Sequence, residues 1–177
     1  QPYFPTANEG NSINNVVPIY LDNSFSMTAK GSNGDLLNQG KNIVRQIADS
    51  HPMEQRYMLV TNDLSGFQHR VITRAELNDR IDDVTFSPIS RSITNPWSSI
   101  KEHLQSINFD GNSHYFVISD FQKEFLKDNT VELDTTASYS FLQVEPQINH
   151  NLYIDSVWFD QPFQRVNINN TLHVRIH

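Results

Sequence analysis

Apolar residues along this chain come in two spacings that alternate. Residues 16–21 (Val-Val-Pro-Ile-Tyr-Leu), 57–61 (Tyr-Met-Leu-Val-Thr) and 114–119 (His-Tyr-Phe-Val-Ile-Ser) are short, nearly unbroken apolar runs. Such runs predict strands buried on both faces, as in a parallel sheet. Between them the spacing widens to a helical period. Leu36/Leu37, Ile43/Val44 and Ile47/Ala48 share one helical face, with Asp35 placed as an N-cap and His51-Pro52 ending the helix. Thr73-Arg74-Ala75-Glu76 fits a capping box and opens a short helix carrying Leu77 and Ile81. Trp97, Ile100, Leu104 and Ile107 form a third stripe, with Pro96 tolerated in its first turn. A more exposed strand is predicted over 67–72, a short helix over 121–126 and a further strand over 139–144.

Alternation of this kind predicts an α/β fold: a Rossmann-like, largely parallel central sheet with helices on both faces. Residues 1–14, rich in Pro and Asn, predict a linker or arm. The α/β domain is expected over 15–147. Residues 148–177 differ, with strands over 153–159 and 170–176 and no helix between them. They predict a β extension or the start of a following β domain.

Composition narrows the function. Among 177 residues, 13 Lys and Arg face 20 Asp and Glu, a net charge of −7, and the basic residues form no cluster or stripe. Nucleic-acid binding is not expected, because phosphate neutralisation needs such a patch. No apolar run is long enough to span a bilayer, so this stretch itself is not expected to cross a membrane. Cys is absent, which removes disulfides, thiolate metal sites and Cys nucleophiles. The chain opens at Gln1 with no charged-then-apolar leader, so it reads as a piece whose anchor or signal would lie outside it.

Three polar segments sit where chemistry gathers in such a fold: Asp22-Asn23-Ser24-Phe25-Ser26-Met27 after the first strand, Ser92-Ile93-Thr94-Asn95 before the Trp97 helix, and Ser119-Asp120 after the 114–119 strand. Loops at the carboxyl ends of parallel strands meet at one edge. If the strands before Asp22 and Asp120 are neighbours, two carboxylates and three hydroxyls converge. That donor set suits a hard divalent cation such as Mg²⁺, with Mn²⁺ or Ca²⁺ in its place.

Asp22-Asn23-Ser24-Phe25-Ser26 resembles the D-x-S-x-S motif of von Willebrand factor A domains, and it stands at the end of the first apolar strand as in that family. Those domains carry a metal-ion-dependent adhesion site. The resemblance implies that Ser24, Ser26 and Thr94 ligate the ion directly, and that Asp22 and Asp120 act through water or directly. Phe25 and Phe121 depart from the pattern, standing where the family usually has a small residue and a glycine. The motif, with residues 153–160, also looks like bacterial aerotolerance (Bat) type proteins. That implies a bacterial envelope protein, membrane-anchored at full length and facing the periplasm, associated with other Bat-type proteins and a MoxR-type AAA+ ATPase.

The function expected is a metal-dependent protein-interaction module, not an enzyme, in which the ion bridges to an Asp or Glu of a partner. One alternative is a scaffold with a degenerate metal site, its pocket filled by Phe25 or Phe121. Another is a metal-dependent hydrolase, though the chain has no G-x-S-x-G elbow, no phosphate-cradling Gly loop, and Ser24 where a phosphoaspartyl enzyme needs an acid. Each Asp also has a plainer reading, as a cap or turn former after a strand.

Overall fold

The computed structural model describes residues 15–32, 34–64, 70–107, 109, 114–123, 125–127, 137–147, 154–160 and 170–176. The arm expected over 1–14 and residues 67–69 of the expected third strand lie outside them. In chain order the elements are β1 (Val16–Leu21), a 3₁₀ turn (Phe25–Thr28), β2 (Lys30–Gly31), β3 (Gly34–Asp35), α1 (Leu36–Asp49), β4 (Arg56–Val60), α2 (Arg74–Asp83), α3 (Thr94–Ser106), β5 (His114–Ser119), β6 (Ser138–Gln143), β7 (Ile154–Phe159) and β8 (Leu172–Ile176). The chain divides into two compact units, Gln1–Gln147 and Ile148–His177.

The first unit is a Rossmann-like α/β fold. Its central four-stranded sheet is parallel, in the order β4-β1-β5-β6, and β2 and β3 form a separate antiparallel pair. Side chains on a strand alternate between faces, and here both faces are apolar. Val17, Ile19 and Leu21 of β1 join Tyr57 and Leu59 of β4 in a cluster with Leu37, Val44 and Ile47 of α1 and Leu77 and Ile81 of α2. Val16 and Tyr20 join Met58, Val60 and Val117 in a second cluster with Ile93, Ile100 and Leu104, on the α3 side. Every β1 residue is buried. Each such Val, Leu or Ile contributes about 1.5–3 kcal/mol by leaving water.

Local signals fix the helix ends. Asp35 accepts the Asn38 amide at 2.7 Å, the N-cap its sequence position predicts. Thr73 and Glu76 form the reciprocal capping box. Gly40 lies where α1 crosses β1; a Cβ there would stand 2.7 Å from Leu21 Cδ1, so a side chain would push the helix off the strand.

Two expectations need correction. The described residues of 121–126 form turns, not a helix. Phe121 takes a left-handed backbone, φ 51°, and the Phe125 carbonyl accepts the Ile93 amide at 2.9 Å. Phe125 is buried and stacks on Tyr20, so its aromatic side chain serves the core rather than a helical stripe. Of the strand expected over 67–72, the described part contributes an isolated antiparallel bridge, Ile72 to Tyr57, along the β4 edge.

In the second unit β7 and β8 form an antiparallel ladder with an irregularity between Ile154 and Ser156. That shift pairs Ile154 with Ile176, while Val157 pairs with Val174 and Phe159 with Leu172. Six apolar residues therefore share one face, and all six are exposed. Trp158, stacked on His173 under Arg175, lies on the other.

Candidate functional site

By sequence order the four parallel strands run 2-1-3-4 across the sheet. The order reverses between β1 and β5, and ligands of open α/β sheets bind outside the carboxyl ends of the strands at such a switch point. Asp22 directly follows β1 and Asp120 directly follows β5. The Asp22 amide donates to the Ile118 carbonyl at 2.9 Å, which ties the two strand ends together.

Asp22 is buried and is the hub of a hydrogen-bond network. Its Oδ1 accepts from the Ser24 amide and from Asn62 Nδ2, each at 2.9 Å, and its Oδ2 accepts from Ser119 Oγ at 2.6 Å. The Ser24 contact closes an Asx turn that bends the chain straight out of the strand. Tyr20 orients Asn62. Burial, then the charges of Asp22 and Asp120, push the Tyr20 phenol well above its ordinary range, outweighing the Arg91 charge that lowers it. The phenol stays protonated and donates to Asn62 Oδ1. The Asn62 NH₂ is thereby turned towards Asp22. Ser119 Oγ in turn accepts the Phe121 amide at 3.0 Å, bracing the left-handed residue.

A second layer holds this one. Asn23 Oδ1 accepts the Asn62 amide at 3.0 Å, and Asn23 Nδ2 donates to Asp63 Oδ2 at 2.9 Å and to the Thr85 carbonyl at 2.8 Å. Ser87 Oγ donates to Asp63 Oδ1 at 2.6 Å. Burial raises the Asp63 carboxyl, but the bonds from Ser87, Asn23 and Thr61, with the Arg91 charge, together hold it below its ordinary range.

Beyond Asp22 the 3₁₀ turn presents hydroxyls. Met27, fully buried, anchors it to the core. Ser24 Oγ and Ser26 Oγ lie 3.0 Å apart. Asp22, Ser24, Ser26 and Asp120 line one cleft of about 140 Å³, with Arg91 on the wall formed by the loop before α3. Phe25 stands at its rim, 75% exposed. Phe121 does not line it and packs instead on Phe125 and Phe141. A larger cleft of about 250 Å³, lined by Asp63, Arg80 and Asp83 among others, holds none of the expected ligands.

Four of the five expected residues thus meet. Thr94 does not line the cleft; its hydroxyl lies 2.6 Å from that of Ser92. Asn62 and Arg91 belong to the site without having been singled out for it, and Ser119, marked in its polar segment, was not named as a ligand. The position of Thr61-Asn62 just past a buried strand was the available signal for Asn62, and Ser119 stands beside a named residue. Arg91 had none.

The donor set fits a small hard cation. Adjacent ligands of an octahedral Mg²⁺, each about 2.1 Å from the ion, are separated by roughly 3 Å, which is the Ser24–Ser26 spacing. Asp120 accepts no side-chain hydrogen bond from the described residues, so its oxygens are available. Asp22, already accepting three bonds, keeps about one of its four lone-pair positions. Among the described residues no three Asp, Glu or His side chains cluster as a metal cage, so the ion would rest on hydroxyls and waters. No protein-family model matches the chain, and no curated protein matches it.

Proposed function

We propose that this chain is a metal-dependent protein-interaction module of von Willebrand factor A type. In this reading the cleft at the ends of β1 and β5 takes Mg²⁺ or Mn²⁺ and, with it, an acidic side chain of a partner protein. One observation carries the reading: the switch point of the sheet gathers Asp22, Ser24, Ser26 and Asp120 around a single open cleft. When bound, the ion would supply positive charge and an open coordination position for an anionic oxygen. Ser24 and Ser26 would hold it through their hydroxyls, which leave its charge intact. Asp22 and Asp120 would hold it through water.

The left-handed φ of 51° at Phe121 supports the resemblance, since glycine is the family's usual residue there and only glycine takes that conformation without strain. The open cleft supports a working site over one filled by Phe25 or Phe121. The resemblance extends to the setting, an anchored bacterial envelope protein of Bat type working with related proteins and a MoxR-type ATPase. Among the described residues no helix is long and apolar enough to cross a membrane.

Thermal unfolding in EDTA and then in about 10 mM Mg²⁺ or Mn²⁺ tests the site. For a Kd near 1 mM, linkage gives about 1.4 kcal/mol of stabilisation, a rise of roughly 3–6 °C for a chain this long. The rise should vanish in Ser26→Ala and in Asp120→Ala, and should shrink less in Thr94→Ala. Metal that leaves the wild-type midpoint unchanged both alone and with an acidic peptide present refutes the proposal.

A further inference from the structure

Metal binding by itself gives Arg91 no role, yet Arg91 forms one wall of the cleft. Its Nε donates to the Asn62 carbonyl at 2.6 Å, which fixes the guanidinium against the Asp22 network. Among the described residues no other hydrogen bond or ion pair engages it. Both terminal nitrogens therefore lack an acceptor, although two carboxylates line the same cleft. A half-buried guanidinium in that condition is a donor fork awaiting an anion.

We propose that Arg91 grips the carboxylate of the incoming acidic side chain, so that anion and cation enter the cleft cooperatively. The inference rests on the metal reading above and adds to it the residue that selects the ligand. A guanidinium offers parallel N–H donors matched to the two oxygens of a carboxylate. Its fixed charge repels a cation that arrives alone and so weakens the pull of Asp22 and Asp120 on it. A carboxylate shared between them relieves the repulsion. Linkage then requires that each ligand raise the affinity of the other by the same factor. The cleft of about 140 Å³ suits a carboxyl head with its methylene stem, and Phe25 and Pro88 give the stem an apolar surface. Asp22 and Asp120 disfavour a phosphate dianion over a carboxylate monoanion. The ligand class is a Glu or Asp side chain next to an apolar residue.

The test counts free Mn²⁺ by electron paramagnetic resonance in the presence of the full chain. The probe peptide is acetyl-Leu-Glu-Leu-amide, and acetyl-Leu-Gln-Leu-amide is its uncharged control. In wild type the Glu peptide should tighten Mn²⁺ binding roughly 5-fold or more, the low end of ordinary coupling between sites, and the Gln peptide should not. Arg91→Gln, checked for folding by circular dichroism, should bind Mn²⁺ alone more tightly than wild type and lose more than half of the peptide effect. Arg91→Lys keeps the charge without the fork and should retain the wild-type affinity for Mn²⁺ alone, with a reduced peptide effect. If the Glu peptide acts equally on wild type and Arg91→Gln, the role of Arg91 is refuted while the metal site stands. If Glu peptide binds as tightly in EDTA as with Mn²⁺, the coupling is refuted. Wild type that binds no Mn²⁺ up to about 10 mM, with or without peptide, refutes the metal reading itself.

Discussion

Asp22→Ala should weaken the fold itself, not only the proposed metal site. The carboxylate is 3% exposed and accepts three hydrogen bonds, from the Ser24 amide, Asn62 Nδ2 and Ser119 Oγ, whose residues are 7%, 1% and 0% exposed. Hydrogen bonds to a charged acceptor contribute about 1.5–3 kcal/mol each, so a plain sum would reach about 5–9 kcal/mol. Two effects reduce it: water enters the vacated space, and the desolvation penalty of the buried carboxylate disappears. A net loss of about 3 kcal/mol follows, which lowers the midpoint by roughly 6–12 °C in a chain of this length. Asp22→Asn keeps one oxygen for the two N–H donors but sets an NH₂ against the Ser119 hydroxyl, a loss of about 1 kcal/mol. Asp120, half-buried and without a hydrogen bond from the described residues, should change stability by less than about 0.5 kcal/mol on replacement by Ala. Urea unfolding in EDTA, followed by far-UV circular dichroism, ranks the three variants. The described helices all belong to the first unit, so the signal reports on it. Asp22→Ala indistinguishable from Asp120→Ala would refute the network.

Three further outcomes follow from the same geometry. Asp63 is held below the ordinary carboxyl range, so its stabilisation is present above the unfolded-state pKa, near 4, and is lost as pH falls through the lower folded value; Asp63→Asn should flatten the acid limb of the stability curve, and an unchanged limb counts against the Ser87 and Asn23 bonds. Burial raises the Tyr20 and Tyr57 phenols, so both contribute stability that is complete below about pH 10 and lost as pH rises through their folded values; an ultraviolet titration in which all six tyrosines of the native protein ionise together near pH 10 would contradict this. Gly40→Ala gains about 1 kcal/mol of helix propensity but sets a methyl 2.7 Å from Leu21 Cδ1, which costs about 1–3 kcal/mol as overpacking; urea midpoints should show net destabilisation, and a stabilised variant would place α1 farther from β1.

Much of the first unit was legible because one physical quantity, the period of apolar residues, specifies both an element and its buried face. β1 read as buried on both faces, and it is, because each of its parities meets a different layer of helices. The helix expected over 121–126 fails because Phe121 takes a left-handed backbone and Phe125 stacks on Tyr20, distant in sequence. Ile154 shows the limit from the other side. Strict alternation sets it opposite Val157, and only the irregularity in the ladder brings the two to one face. At the site, Asp22 and Asp120 could be paired from their positions after strands. Arg91 could not, since its meaning depends on a bond to a residue 29 positions away. Asn62 acquires its meaning only from the pairing of β4 beside β1, which brings its amide to Asp22.

The cleft is built from two kinds of residue with different tolerance to change. Asp22, Asn62 and Ser119 stand at or just beyond strand ends and interlock, so altering one strands the others. Phe25, Ser26 and Arg91 belong to connecting segments, and none makes more than one side-chain hydrogen bond. Selection acts on such sets differently. Drift at the first is purged through loss of stability before function is ever sampled, whereas the second can change while the chain stays above its stability threshold. A lineage carrying this fold can therefore change what the cleft accepts by rewriting a few loop positions, and its descendants will diverge first at Phe25 and Arg91 and last at Asn62.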